Sequence, residues 1–154
     1  MAMNTEKMQT IRLEVCRCLN KETIIEFLKN IDKRLPIPVS EKVDFEQYAE
    51  KIINKGQVLA IMQNNKIVSA GFIYCNDNVS KRGYVSLFGT LYGYENSGYG
   101  KRILEEVDKV AKENGMNKMG LHTEKSNERA IRFYNRNGYQ IVNMEQKIYM
   151  EKNL

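Results

Sequence analysis

A chain of 154 residues, 42% hydrophobic and 28% charged, is expected to fold as one domain with a core that needs no disulfide or metal staple. Its net charge of +5 comes from scattered lysines with no arginine-rich arm. That pattern argues against nucleic acid and suits an anionic small molecule or no partner equally well.

No apolar run approaches the ~20 residues that span a bilayer, and no apolar signal core opens the chain, so a cytoplasmic location without membrane contact is expected. Cys16, Cys18 and Cys75 are an odd set, read as reduced thiols. Cys16 and Cys18 form only Cys-x-Cys, and the lone histidine, His122, is remote in sequence, so no metal site is expected.

In chain order, residues 9–18 alternate loosely (Ile11, Leu13, Val15) and read as an edge strand. Asn20 is the expected cap of a helix over 21–34, with Ile24, Ile25, Phe27, Leu28 and Ile31 on one face. Pro36 and Pro38 stop it and force an extended link. A second helix over 44–54 is closed by Gly56. Strands over 57–62 and 66–74 follow, joined by the turn dipeptide Asn64-Asn65, and a third strand over 83–91.

A helix over 98–114 ends at Gly115, and a strand over 118–123 leads to Ser126, the expected cap of a helix reaching Asn137. After Gly138, residues 139–150 read as one final strand. The order of elements predicts a mixed α/β sheet with helices on both faces, and its irregular βα alternation argues against a doubly wound fold.

The chemistry concentrates after the third strand, in Tyr94-Glu95-Asn96-Ser97-Gly98-Tyr99-Gly100-Lys101-Arg102. Two glycines where a strand hands over to a helix let backbone N–H groups face outward. A helix start with its positive dipole end and unpaired donors is suited to a phosphate. Gly-x-Gly alone is equally compatible with a plain strand-to-helix turn.

From the strand over 83–91 through Tyr139, the chain resembles the GNAT superfamily of acyl-CoA-dependent N-acyltransferases. The resemblance lies in Gly98-Tyr99-Gly100 at a helix start, then Asn127-Glu128-Arg129-Ala130 leading to Tyr134, then the pair Gly138-Tyr139. It implies that fold, with a central, mostly antiparallel sheet. It also implies acetyl-CoA as co-substrate, with Phe88, Gly89, Thr90, Asn96, Ser97, Gly98, Tyr99, Gly100, Lys101, Asn127 and Tyr134 as cofactor-binding residues.

Glu95 stands where the family has Gln or Arg, so weaker cofactor binding is expected, partly offset by Lys101 and Arg102. Asn96 tolerates the left-handed backbone such a loop needs.

The resemblance further implies that strands splay near Phe88, Gly89 and Thr90, freeing backbone groups for the cofactor and for an oxyanion; a plain strand with a bulge at Gly89 is the other reading. Tyr134 would protonate the departing thiolate, or else pack in the core beside Ile131 and Phe133. On its helix, residues 127, 130, 131 and 134 share a face. His122 would take the amine's proton or be structural, with Glu124 a weaker candidate.

The N-terminal helices and the 35–38 link would form the acceptor pocket, with Glu41, Asp44, Glu46, Tyr48 and Tyr74 as candidate lining. The activity implied is transfer of acetyl to a primary amine of a small molecule in a ternary complex. A non-catalytic CoA-binding module and an enzyme acting on a protein amine are the two rival readings. A homodimer fits the family, though no sequence feature establishes one.

Overall fold

A computed structural model describes residues 14–32 and 44–154. The elements are β1 (Val15–Arg17), α1 (Lys21–Asp32), α2 (Phe45–Lys55), β2 (Gln57–Gln63), β3 (Lys66–Tyr74), β4 (Arg82–Thr90), α3 (Tyr99–Glu113), β5 (Lys118–Thr123), α4 (Glu128–Arg136), β6 (Gln140–Asn143) and β7 (Ile148–Asn153). The strands form a seven-stranded sheet in the order β1-β2-β3-β4-β5-β7-β6. Among the described residues only β4 and β5 run parallel; every other neighbouring pair of strands there is antiparallel.

Local chemistry accounts for the element ends. The Asn20 side chain accepts the Thr23 N–H at 3.0 Å, and Asp44 accepts the Gln47 N–H at 3.0 Å, each capping a helix start. Asn64 and Asn65 take φ of 50° and 62°, the left-handed pair that turns β2 tightly into β3. The first part of the expected edge strand, the end of the first helix past Asp32, the two prolines and Glu41 lie outside the described residues.

Two expectations change. The strand read over 139–150 is a hairpin, β6 and β7, because the polar stretch Glu145-Gln146-Lys147 is better solvated in a turn than paired in a ladder. The cap of α4 is Asn127, whose side chain accepts the Ala130 N–H at 3.2 Å, and not Ser126.

Two apolar clusters sandwich the sheet. One joins Ile103, Leu104, Val107 and Ala111 of α3 and Tyr134 of α4 to Val85, Leu121 and Met150; the other joins Ile24, Phe27, Leu28 and Ile31 of α1 and Ile52 of α2 to Phe72, Leu87 and Leu91. Val85 and Leu87 are two residues apart yet serve opposite faces. The pairing with β3 jumps from Val85↔Ile73 to Leu87↔Phe72, so Ser86 is an extra residue in β4. Such a bulge reverses which side chains point to which face, and it sits at the site.

Candidate active site

β4 and β5 pair from Arg82↔Lys118 to Val85↔Leu121 and then part, while His122 and Thr123 remain paired with β7. The sheet is split there, and a crevice of about 1240 Å³ opens across it. Leu91 gives its N–H to Val68 O at 2.8 Å, which fixes the sense of alternation along β4. Successive residues send their backbone groups to opposite sides, so those of Phe88 and Thr90 turn away from β3 toward the gap. The backbone groups of Gly89 face β3 instead, a Cβ there would press on Ile31 of α1 across the sheet face, and the Thr90 hydroxyl is 2.8 Å from Ser69 Oγ.

The loop after β4 takes its shape from left-handed residues: Gly93 (φ 89°), Asn96 (φ 60°) and Gly98 (φ 79°). Gly98 caps α3 without a side-chain bond, and the first intrahelical bond runs from Arg102 N to Gly98 O at 3.1 Å. The N–H groups of Tyr99, Gly100 and Lys101 therefore have no acceptor within the helix. A Cβ at Gly98 would meet nothing within 4 Å, so this helix start is open to a ligand. Gly100 is glycine for another reason: a Cβ there would lie 3.0 Å from the Phe88 ring and 3.1 Å from that of Phe133. Those rings stack at 5.6 Å and 16°, forming an aromatic floor beneath the helix start.

Asn96, Gly98, Tyr99, Gly100, Lys101 and Glu95 line the crevice; Ser97 does not, its hydroxyl donating to Glu95 O at 3.4 Å. Tyr99 is braced by Gln63, whose side-chain amide donates to the phenol at 3.2 Å.

On α4, Asn127, Ala130, Phe133 and Tyr134 line the crevice, whereas Ile131 turns to the core. Tyr134 meets Phe88, Phe133 and Tyr139 edge-on at 5.8–5.9 Å and is only 8% exposed. The Tyr134 ring packs in the core, one of its two sequence readings, and the residue also forms crevice wall. Burial pushes its phenol well above the usual range, so it stays protonated.

His122 lies on the other side of the split, bonded through Nδ1 to the Tyr84 hydroxyl at 2.7 Å and packed on the Tyr149 ring at 4.8 Å. Desolvation, then the nearby Lys147 charge, lowers its pKa below the ordinary 6.5, leaving a neutral imidazole at pH 7. Glu124 pairs with Lys147 at 3.3 Å.

On the α2 side the crevice is lined by Asp44, the cap of α2, and by Gln47, Tyr48 and Lys51, with Tyr74, Tyr84 and Ser86 opposite. Tyr48 and Ser86 hydroxyls lie 2.5 Å apart, and Lys51 sits over the Tyr74 ring at 5.6 Å. Glu46 serves elsewhere, bound to Lys21 at 2.6 Å in a bridge between α1 and α2.

Crevice residues that escaped the sequence reading include Gln47, Lys51, Tyr84, Ser86, Arg129, Arg136 and Lys147. The two arginines sit at positions 2 and 9 of α4, on one face with each other but on the opposite side of the helix from Asn127, so a helical-face count from Asn127 passes over them; Tyr84 carried no local signal.

Among the described residues, no three His, Cys, Asp or Glu side chains gather as metal ligands, and no helix is long and apolar enough to cross a membrane.

This arrangement has known counterparts. The family model for the "Acetyltransferase (GNAT) family" matches residues 25–139. A relative from Danio rerio, N-alpha-acetyltransferase 50, is 27% identical over 129 residues, covering 81% of this chain and 74% of that protein. A GNAT-family acetyltransferase from Staphylococcus aureus Mu50 superposes with a TM-score of 0.76 at 23% identity, covering 92% of this chain and 98% of that one. The PaiA N-acetyltransferase of Thermoplasma acidophilum, solved in complex with coenzyme A, superposes at 0.74 with 17% identity, covering 94% and 100%. The split sheet, the open helix start and the family match agree: this chain belongs to the GNAT acetyltransferase family and is an acyltransferase.

Proposed function

We propose that this acyltransferase moves acetyl from acetyl-CoA to the α-amine at the N-terminus of a polypeptide, by direct attack in a ternary complex. The observation that carries the reading is the split between β4 and β5. It brings a proton donor on one side of the sheet (Tyr134) and a neutral imidazole on the other (His122) into the walls of a single crevice. The polypeptide acceptor takes its support from the Danio rerio relative, which is named as an N-alpha-acetyltransferase. A small-molecule amine is the second reading, favoured by the hydroxyl-rich lining of Tyr48, Tyr74 and Ser86, which suits a hydroxylated amine.

The residues fit the co-substrate. The free amides of Tyr99, Gly100 and Lys101, with the Lys101 charge, suit a diphosphate at the open helix start. The outward backbone groups of Phe88 and Thr90 suit the amides of a pantetheine arm, and the Asn127 side-chain N–H₂ is available beside them because only its oxygen is engaged in the cap. Bound acetyl-CoA supplies an activated thioester. Thr90 N–H is the donor for charge developing on the acyl oxygen, Tyr134 gives its proton to the departing sulfur, and His122 accepts the proton lost by the amine. Holding both reactants at near-attack distance supplies much of the rate. The cytoplasmic location expected from the sequence belongs to the same proposal.

The test is release of free thiol with two panels: peptides with free N-termini, and amino sugars, polyamines and amino acids. Higher kcat/KM on peptides supports the first reading; turnover confined to the second panel replaces it with the small-molecule reading.

Glu95 gives a separate prediction. It is half-buried in the crevice wall beside the phosphate-suited helix start. A like charge about 4 Å away costs about 1 kcal/mol in water. Glu95→Gln is therefore expected to tighten coenzyme A binding roughly fivefold by calorimetry in dilute buffer. At roughly 1 M salt, where the Debye length falls to about 3 Å, the gain should largely disappear. An unchanged Kd would show that neighbouring groups already neutralise this carboxylate.

A further inference from the structure

His122 and Lys147 line two cavities. Besides the crevice, they border a smaller one of about 300 Å³ that Asn143, Glu145 and Gln146 complete. Its walls come from the end of β6 and the turn into β7, so this cavity adjoins the crevice across the His122 and Lys147 side chains. That volume lies at the bottom of the range for ligand pockets, enough for one side chain.

The polar groups of the two acceptor sides differ in how they are engaged. On the α2 side the Tyr48 hydroxyl is bonded to Ser86, Asp44 caps its helix, and Lys51 lies over Tyr74. In the small cavity, among the described residues, the side chains of Asn143, Glu145 and Gln146 make no hydrogen bond or ion pair. Lys147 is paired with Glu124 at 3.3 Å, whereas the Glu145 carboxylate bordering the same cavity has no such counter-ion among the described residues and is open to a cationic side chain.

We propose that this cavity is the subsite for the second residue of a polypeptide acceptor, and that Glu145 makes it prefer arginine or lysine there over aspartate or glutamate. The proposal rests on the polypeptide reading above. In an extended chain successive side chains point to opposite sides. With the α-amine at His122, a first side chain directed to the α2 wall sends the second toward the β6–β7 turn, one residue and about 3.5 Å further on. Glu145 is exposed, so the preference is modest and screened by salt.

The experiment measures kcat/KM by thiol release, in dilute buffer, for peptides differing only at residue two: Arg, Ala or Glu. Arginine is used because it adds no second acceptor amine. The wild-type enzyme should rank Arg above Ala above Glu, with a total spread of roughly fivefold. Glu145→Gln should level the series and Glu145→Lys invert it, both differences shrinking at high salt. The same ranking in all three enzymes, or no ranking in the wild type, overturns the proposal. If the wild type acetylates small amines but none of the peptides, the polypeptide reading itself has failed and the subsite falls with it.

Discussion

Tyr134→Phe is expected to lower kcat about 10²-fold while leaving the Kd for coenzyme A within about twofold. The substitution deletes one oxygen and keeps the ring. The edge-on contacts with Phe88, Phe133 and Tyr139 survive, and so does the aromatic floor under α3. No described residue hydrogen-bonds the Tyr134 hydroxyl, and burial alone shifts it, so its removal strands no partner and Tm should hold. What disappears is the donor that discharges the leaving thiolate. Burial raises the phenol's pKa, so Tyr134 is protonated across the working range and contributes no limb to the pH profile near neutrality. Steady-state kinetics, calorimetry and thermal melting on one preparation check all three parts. An unchanged kcat would return Tyr134 to the core and remove it from the chemistry.

The site was legible where a residue type is forced by its own backbone. Gly98 takes φ 79° and Asn96 φ 60°, conformations that glycine and asparagine adopt at least cost, so the loop and helix start announce themselves in the sequence. Gly100 was found by the same motif for a different cause, since Phe88 and Phe133 crowd it from elements distant along the chain. Asn127 was assigned to the cofactor and Ser126 to the cap. Either residue type caps a helix, and sequence cannot choose between neighbours when both are good acceptors.

Tyr84 was missed because its meaning is tertiary. Its hydroxyl meets His122 38 residues later, and only the parallel pairing of β4 with β5 brings the two together. The bulge at Ser86 was equally silent. It leaves Tyr48 bonded to Ser86 on one face while Phe88 packs against α4 on the other, a change of side that strict alternation would not predict.

His122→Gln is expected to reduce kcat about 10²-fold near pH 7 and to change the shape of the pH profile. The groups facing the ring are Tyr84 at Nδ1, Tyr149 across its plane, and Lys147 with its partner Glu124 and the cavity carboxylate Glu145. Desolvation comes first and the Lys147 charge second, and both disfavour the imidazolium. A lowered pKa keeps the neutral base populated to more acid pH, so wild-type kcat should hold down through pH 6.5 and fall only below it.

For Nε2 to accept the amine's proton, Nδ1 must carry hydrogen and donate to Tyr84 O; the opposite tautomer has no lone pair at Nε2. Tyr84→Phe should therefore give a partial loss of kcat with the same acid limb, since the base remains but its tautomer is no longer held. Lys147→Gln should move that limb upward, toward the ordinary histidine value, by removing a repelling charge. In His122→Gln the limb should vanish, and the residual rate should climb with pH until the acceptor α-amine deprotonates on its own, near 8. A profile that His122→Gln leaves unaltered would mean that the amine arrives neutral and that His122 serves only to pack Tyr84 against Tyr149.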